Sequence, residues 1–481
     1  MYMRNRVVAG LALVALLSGC GGGGSGGTVS TPPTSGSGGG SGTASAGGTC
    51  SLLSRQQWAF DQLDEWYLFP DTLPNNLDPA SYSTVQDYID ALTANARAQG
   101  KDRHFTYLTS IAEEDAYYNS GQTAGFGFRI TLAPDNSKLL IAEAFEGAPA
   151  LKAGIDRGTA ITAIGTSENN LQTVSELIAS GGGDALNNAL GPSTAGTTRY
   201  FRITDASGTR VVSVTKADYD IEPVSSRYGA QILSDGGQQY GYINLRTFIS
   251  TADPALRDAF AKFRAAGVDK VIVDLRYNGG GLVSVAELMG NLLGGDHSTS
   301  DVFDHMTFRP SKASENTTAY FAPQPQSIGA TRIAFIGTRG TASASELVVN
   351  AFIPYLHTAD GLIGTNTYGK PVGQIAVDRS ECDDRFRIIA FGLHNANNQG
   401  GYFDGLAGTV EASCQADDDL SRPMGDPQEA STRAALDFLE GKSCTQITAA
   451  GAQTTQAVQQ RRKLLQPAVP STPQREVPGL Y

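Results

Sequence analysis

The feature that most narrows the fold of this chain is the regular exchange of strand and helix patterns from Tyr240 onward. "YGYINLRTF" reads as a buried strand, "PALRDAFAKFRAAG" carries apolar residues at helical spacing, and "DKVIVDLRYNGGG" is a continuous apolar run that ends in a glycine turn. The helical "LVSVAELMGNLL", the strand-like "TRIAFIG", a helix after Ser343 and "GLIGTNTYGK" continue the exchange. Such alternation implies an α/β core with a largely parallel sheet, whose ligand sites lie at the carboxyl ends of its strands. The turn at 278–281 and the stretch 337–343 both fall at such ends.

The remainder divides by texture. Residues 1–19 read as a secretory signal, with Arg4 and Arg6 ahead of an apolar stretch too short to span a bilayer. Leu17, Ser18, Gly19 and Cys20 resemble a bacterial lipobox, which implies lipidation at Cys20 and a lipid-anchored protein of the cell envelope, expected at the outer membrane facing the periplasm. Residues 20–49 are Gly, Ser and Thr-rich and read as a flexible tether. Residues 50–118 carry helical periodicity, with Trp58, Leu63, Trp66 and Tyr67 expected in a core. From 119 to 224 the chain has short strands and glycine turns. Residues 225–445 hold the alternating core, and 446–481 form a polar, Pro-containing segment expected to be a disordered tail.

Net charge is −12 and no basic run occurs, which argues against nucleic acid as a partner. With Cys20 lipidated, Cys50, Cys382, Cys414 and Cys444 remain, an even number that implies two disulfides in an exported chain. Three pairings are possible. Cys382 with Cys414 and Cys50 with Cys444 is the expected one, because the second bond would tie together the ends of the folded part. No C-x-x-C spacing is present, which argues against a zinc site.

The stretch "GTRGTASASELVVNAF" admits two readings. Ser343 and Glu346 match a capping box, in which the serine only opens a helix. Alternatively Ser343 is a nucleophile: Gly340, Thr341 and Ala342 would let a substrate backbone approach, and the free N–H groups of the helix N-terminus would meet an oxyanion. A nucleophilic serine needs a base. His104, His297, His305, His357 and His394 sit in no recognisable triad motif, and the one G-x-S-x-G match, from Gly23 to Gly27, lies in the tether. Lysine is the other option if burial removes its charge, which from an ordinary pKa of about 10.4 costs about 4–5 kcal/mol. Lys370 in "NTYGKPVGQ" follows an apolar strand at the end where a site belongs; a surface lysine after a turn is the alternative.

Taken together, Thr341, Ala342, Ser343, Ala344, Ser345 and Glu346, then Tyr368, Gly369, Lys370 and Gln374, resemble the tail-specific, or C-terminal processing, peptidases of family S41. The resemblance implies Ser343 as nucleophile, Lys370 as general base and Gln374 as the residue that orients the lysine. "VDLRYNGGG" resembles the family's Arg-Asn-Gly-Gly segment and implies an oxyanion hole from Gly279 or Gly280 with Ala344. Gly125, Phe126, Gly127 and Phe128 resemble the carboxylate-binding loop of PDZ domains, as "EGAPALKAGIDRGTAITAIG" resembles a later PDZ stretch, with Gly158-Thr159 replacing the usual Gly-Asp. The implied fold is multidomain α/β, α+β overall: an N-terminal helical region, a PDZ-like β-rich domain and a ClpP/crotonase-like peptidase core. The implied partners are polypeptides bound by their C-termini, and the chemistry calls for no metal or organic cofactor. A non-catalytic lipoprotein that binds peptides or another ligand is the rival function.

Overall fold

The computed structural model describes residues 48–448 and 463–481, which belong to one compact unit, Gly47–Tyr481. The expected signal, Cys20 and nearly all of the tether lie outside the described residues, as does 449–462 of the expected tail. Among the described residues no helix is long and apolar enough to cross a membrane.

The centre is a six-stranded sheet in the order Gln231–Asp235, Gln238–Asn244, Lys270–Asp274, Arg332–Gly337, Asp360–Gly364, Ala412–Gln415. Its first pair is antiparallel and every later pair is parallel. The short apolar runs seen in the sequence are explained by burial on both faces. Val271, Val273, Ile333 and Phe335 pack against the helices Ala252–Ala265, Val283–Leu293 and Ala344–Leu356. Ile272, Ala334 and Ile336 face the helix Ala430–Leu439. Each fully buried Ile or Val contributes about 1.5–3 kcal/mol relative to exposure, so this sheet is a rigid floor for the loops at its carboxyl edge.

A second sheet pairs the long hairpin Val372–Arg379 and Asp384–His394 with Tyr107–Ser110, Val302–Phe308 and Thr317–Tyr320. Ala59 and Leu63 of the helix Leu52–Trp66, with Ile89 and Leu92 of the helix Val85–Leu92, cover Phe386, Ile388 and Ile389 of the hairpin. The N-terminal helices therefore steady the strand that carries Gln374.

Residues of the 119–224 region form most of a seven-stranded sheet that includes Phe128–Leu132, Leu139–Ala144, Ala160–Gly165, Thr198–Asp205 and Gly208–Thr215. The helix Val174–Leu190, kinked at Gly181 and Gly182, packs its Val174, Leu177, Leu186 and Leu190 into the same core as Phe126, Phe128 and Ile130.

Two expectations are corrected. The disulfides join Cys50 to Cys382 and Cys414 to Cys444. Cys50 precedes the first helix, which lies against the hairpin whose turn holds Cys382, while Cys414 lies in the strand Ala412–Gln415, beside the segment that leaves the helix Ala430–Leu439. The expected disordered tail is in fact built into the molecule over residues 463–481. Lys463–Leu464 adds a strand to the seven-stranded sheet, Thr472–Glu476 is helical, and Val477, Leu480 and Tyr481 are buried. Their apolar side chains find a ready core, which a polar local composition does not disclose.

Candidate active site

Ser343 stands at the junction of the strand Arg332–Gly337 and the helix Ala344–Leu356, with φ 56° and ψ −117°. An ordinary capping serine is extended. A non-glycine residue held in this sparsely populated region costs about 1–3 kcal/mol, which the surroundings must over-determine. They do so from two sides. Ala342 N–H and the Ser345 hydroxyl both donate to Asn278 O at 3.0 Å, and the Thr341 hydroxyl donates to Leu275 O at 2.8 Å. Ser345 is thus a structural serine that fastens the turn at Ser343 to the glycine turn.

Glu346 supplies the second restraint. It is fully buried, and its carboxylate accepts the Ser343 N–H at 3.1 Å, the Lys370 N–H at 2.7 Å and the Gly369 N–H at 2.7 Å. Burial pushes its carboxyl above the ordinary value, against the pull of these donors. Because one oxygen of Glu346 bonds the main chain at both Ser343 and Lys370, those nitrogens are within about 6 Å of each other. The glutamate of the capping-box pattern therefore joins two separate loops.

The Lys370 side chain is partly buried, and Nζ donates to Gln374 Oε1 at 2.8 Å while lying 5.1 Å from the centre of the Phe105 ring. Gln374 in turn donates to Phe105 O. Arg103 donates to Tyr368 O and Gly369 O and stacks on the Tyr368 ring. Burial pushes the Lys370 amine below its ordinary value, and the carboxylate of Glu476 opposes this. No hydrogen bond joins Lys370 to the Ser343 hydroxyl among the described residues; the amine rests on Gln374. Gly369 has φ 90°, and a Cβ there would lie 2.3 Å from Phe403 O, so only glycine permits this turn.

In the glycine turn the two candidate donors are already distinguished. Gly280 N–H is taken by Asn278 Oδ1 at 2.9 Å. Gly279 N–H instead donates to Glu476 O of the C-terminal segment, also at 2.9 Å. A Cβ at Gly280 would approach Ser343 Cβ to 2.8 Å and Ala344 N to 3.2 Å, so the turn lies directly against Ser343. Ala344 N–H, the first of its helix, has no intrahelical acceptor. The turn is braced from below by an ionic network. Arg276 bonds Asp274 at 2.9 Å, Glu429 at 2.9 Å and Asp418 at 3.0 Å, and Arg157 bonds Asp418 at 2.7 Å. Although burial works against it, Arg276 holds Glu429 down to about 2.

Gly125, Phe126, Gly127 and Phe128 lead into the strand Phe128–Leu132 along the edge that residues 463–465 and 479–481 cover, and Gly127 N–H and Phe128 N–H donate to Tyr481 O at 2.9 and 3.3 Å. The structure thus brings Ser343, Ala344, Gly279, Gly280, Lys370 and Gln374 together and sets the 125–128 loop against the main chain of Tyr481. The five histidines are elsewhere: His104 meets Asp90, His297 Asp301, His305 Thr318 and His357 Glu411, while His394 pairs across strands with His305. The sequence reading missed Phe105 and Arg103, which lie in the irregular segment between the helix Ala94–Ala98 and the strand Tyr107–Ser110 and carried no chemical signal. It missed the double role of Glu346 as well, although the capping-box spacing marked that residue.

Residues 239–389, which contain every one of these nucleophile, base and glycine-turn positions, match Peptidase family S41, and residues 54–107 match the Peptidase S41 N-terminal domain. A chloroplastic C-terminal processing peptidase of Tetradesmus obliquus is 29% identical over 54% of this chain and 54% of its own length. A carboxyl-terminal-processing protease of Synechocystis sp. is 24% identical over 57% of this chain and 60% of its own. The chain thus spans little more than half the length of these relatives. A crystal structure of a protein from Bacteroides fragilis, assigned to the S41 proteases, has the same fold with a TM-score of 0.63 at 22% identity, covering 80% of this chain and 97% of that one.

Proposed function

Because this chain belongs to peptidase family S41, we propose that it is a serine endopeptidase of the tail-specific type that cleaves polypeptides recognised by their C-termini. The observation that carries this reading is the left-handed Ser343 clamped through Glu346 to the backbone of a partly buried Lys370. A cap needs neither the strain nor the lysine.

Neutral Lys370 swings from Gln374 to the Ser343 hydroxyl and takes its proton as Oγ attacks the scissile carbonyl carbon. The carbonyl electron pair moves to oxygen, and the N–H groups of Gly279 and Ala344 hold the oxyanion. As the tetrahedral species collapses, the C–N bond breaks and the Lys370 ammonium returns the proton to the departing amine. A water, deprotonated by Lys370, then hydrolyses the acyl ester and restores Ser343. Gln374, fixed by Phe105 O, receives the amine between steps. The 119–224 region acts as a PDZ-like module: a substrate C-terminus adds a strand along Phe128–Leu132 with its end held by residues 125–128. Lipidation at Cys20 would hold the enzyme on a bacterial envelope membrane.

The test is incubation of purified wild-type and Ser343→Ala protein with one unfolded polypeptide carrying either an apolar or a charged C-terminus. Ser343-dependent loss of the apolar-tailed chain is expected; equal loss with both proteins refutes the assignment.

A further inference from the structure

The edge of the sheet that this reading assigns to substrate is occupied by the chain's own residues 463–481. Lys463 and Leu464 pair antiparallel with Leu132 and Thr131, and Leu465 N–H donates to Ile130 O at 3.2 Å. The chain then turns through the helix Thr472–Glu476 and comes back along the same strand. Ile130 N–H donates to Gly479 O at 3.0 Å, Leu480 bridges Arg129, and Tyr481 exchanges hydrogen bonds with Phe128 and Gly127. The Tyr481 ring is buried in the cluster of Phe126, Phe128, Leu186 and Leu190, and Gly125 lies so close to Tyr481 that a Cβ there would come within 2.9 Å of its carbonyl carbon. This is strand addition to a sheet edge, with a pocket for an alternate side chain.

The same segment also covers the catalytic end. Glu476 O holds the Gly279 N–H, the position assigned to the oxyanion. Arg475 lies 3.7 Å over the Tyr107 ring and bonds His104 O, and the Glu476 side chain accepts the Tyr118 hydroxyl at 3.2 Å. Residues on the acyl side of a scissile bond must be extended for a nucleophile to reach the carbonyl, whereas here 472–476 are helical and Lys370 still rests on Gln374. The segment therefore fills the site without presenting a bond for attack.

We propose that residues 463–481 are an intramolecular competitor for substrate, which closes the resting enzyme by holding the Phe128–Leu132 edge and the Gly279 N–H, and that the polypeptides which displace it carry an aliphatic–aromatic pair like Leu480-Tyr481. This rests on the peptidase reading for its consequence in catalysis, but not for the binding it predicts. Displacement exposes the edge, returns Gly279 N–H to the oxyanion and leaves Lys370 without the Glu476 carboxylate.

The experiment uses the full chain in two backgrounds. In Ser343→Ala protein, a fluorescein-labelled peptide of residues 471–481 is titrated with and without Leu480→Asp; Tyr481→Ala serves as the milder variant should Leu480→Asp fail to fold. Binding at least tenfold tighter to the tail-weakened protein is expected, as is loss of binding when the peptide ends in Asp-Asp in place of Leu-Tyr. Equal affinity with and without Leu480→Asp overturns the proposal. In the Ser343 background the same variant is expected to raise turnover of an apolar-tailed polypeptide at least tenfold, and unchanged turnover overturns the inhibitory role. If the binding difference is found but neither protein cleaves, the segment stands as the groove's occupant and the peptidase reading falls.

Discussion

The carboxylate of Glu346 accepts the Lys370 main-chain N–H at 2.7 Å and, with the same oxygen, that of Ser343 at 3.1 Å. One buried side chain thus sets the spacing of the two loops on which the proposed acyl transfer depends, and it does so from inside the helix that Ser343 opens.

Glu346→Gln halves the acceptors offered to three inward-facing N–H groups and aims an amide N–H₂ at them. The expected outcome is a fall in kcat of about 10–100-fold with KM within about twofold, since a misplacement near 1 Å costs that much. Stability should fall by about 1–3 kcal/mol through the unpaired donors. Steady-state kinetics with a denaturant titration checks both, and a change confined to KM would remove Glu346 from its positioning role.

Lys370 gives a signed pH dependence. Its folded pKa lies below the ordinary 10.5, so kcat/KM should rise with pH along one alkaline limb whose midpoint is below 10.5. The groups facing it include Glu476, which favours the charged amine, and Arg475 and Arg387, which disfavour it. Glu476→Gln should move the midpoint down, and Lys370→Arg should abolish turnover because a guanidinium keeps its proton. The same depression makes the amine a stability cost that is absent above the unfolded pKa and grows as pH falls toward the folded one.

The network under the glycine turn should behave as a unit. Glu429→Ala removes the bidentate partner of the buried Arg276, leaving it Asp274 and Asp418, and should destabilise the protein by about 3 kcal/mol. In the wild type, Glu429 is held at about 2 against an ordinary 4.5. Its contribution is therefore complete above about 4.5 and is lost as pH falls through about 2. Denaturant midpoints measured across that window in wild type and Glu429→Gln should converge at the acid end.

Cys50 and Cys382 close a loop of 332 residues and pin the first helix to the Gln374 hairpin. Cys50→Ser should lower stability by about 2–5 kcal/mol and raise hydrogen exchange in the helix Leu52–Trp66, while Cys444→Ser should leave that helix protected.

The parallel core and the site loops were legible because burial on two faces writes continuous apolar runs, and because Asn278, Gly279, Ser343 and Lys370 each lie in the loop that follows such a run. The pairing of Cys50 with Cys382 was not, since it depends on a helix packing on a distant hairpin. The seat of Phe105 beside Lys370 was hidden for the same reason. Residues 463–481 were read as a tail because their order comes from an acceptor edge at Phe128–Leu132 and a cluster around Phe126, neither of which is local to them. By local pattern alone Ser343 fitted a helix cap better than a nucleophile, and the structure keeps the capping box; what the pattern could not carry is the φ of 56° that an ordinary cap does not need.

The most direct measurement is mass-spectrometric mapping of the adduct left by a serine-reactive β-lactone or fluorophosphonate on full-length wild-type protein and on Lys370→Met. The account predicts one adduct on Ser343 in the wild type and its loss in Lys370→Met with the fold intact by circular dichroism. An adduct on another residue, or equal labelling of Ser343 in both proteins, would contradict it.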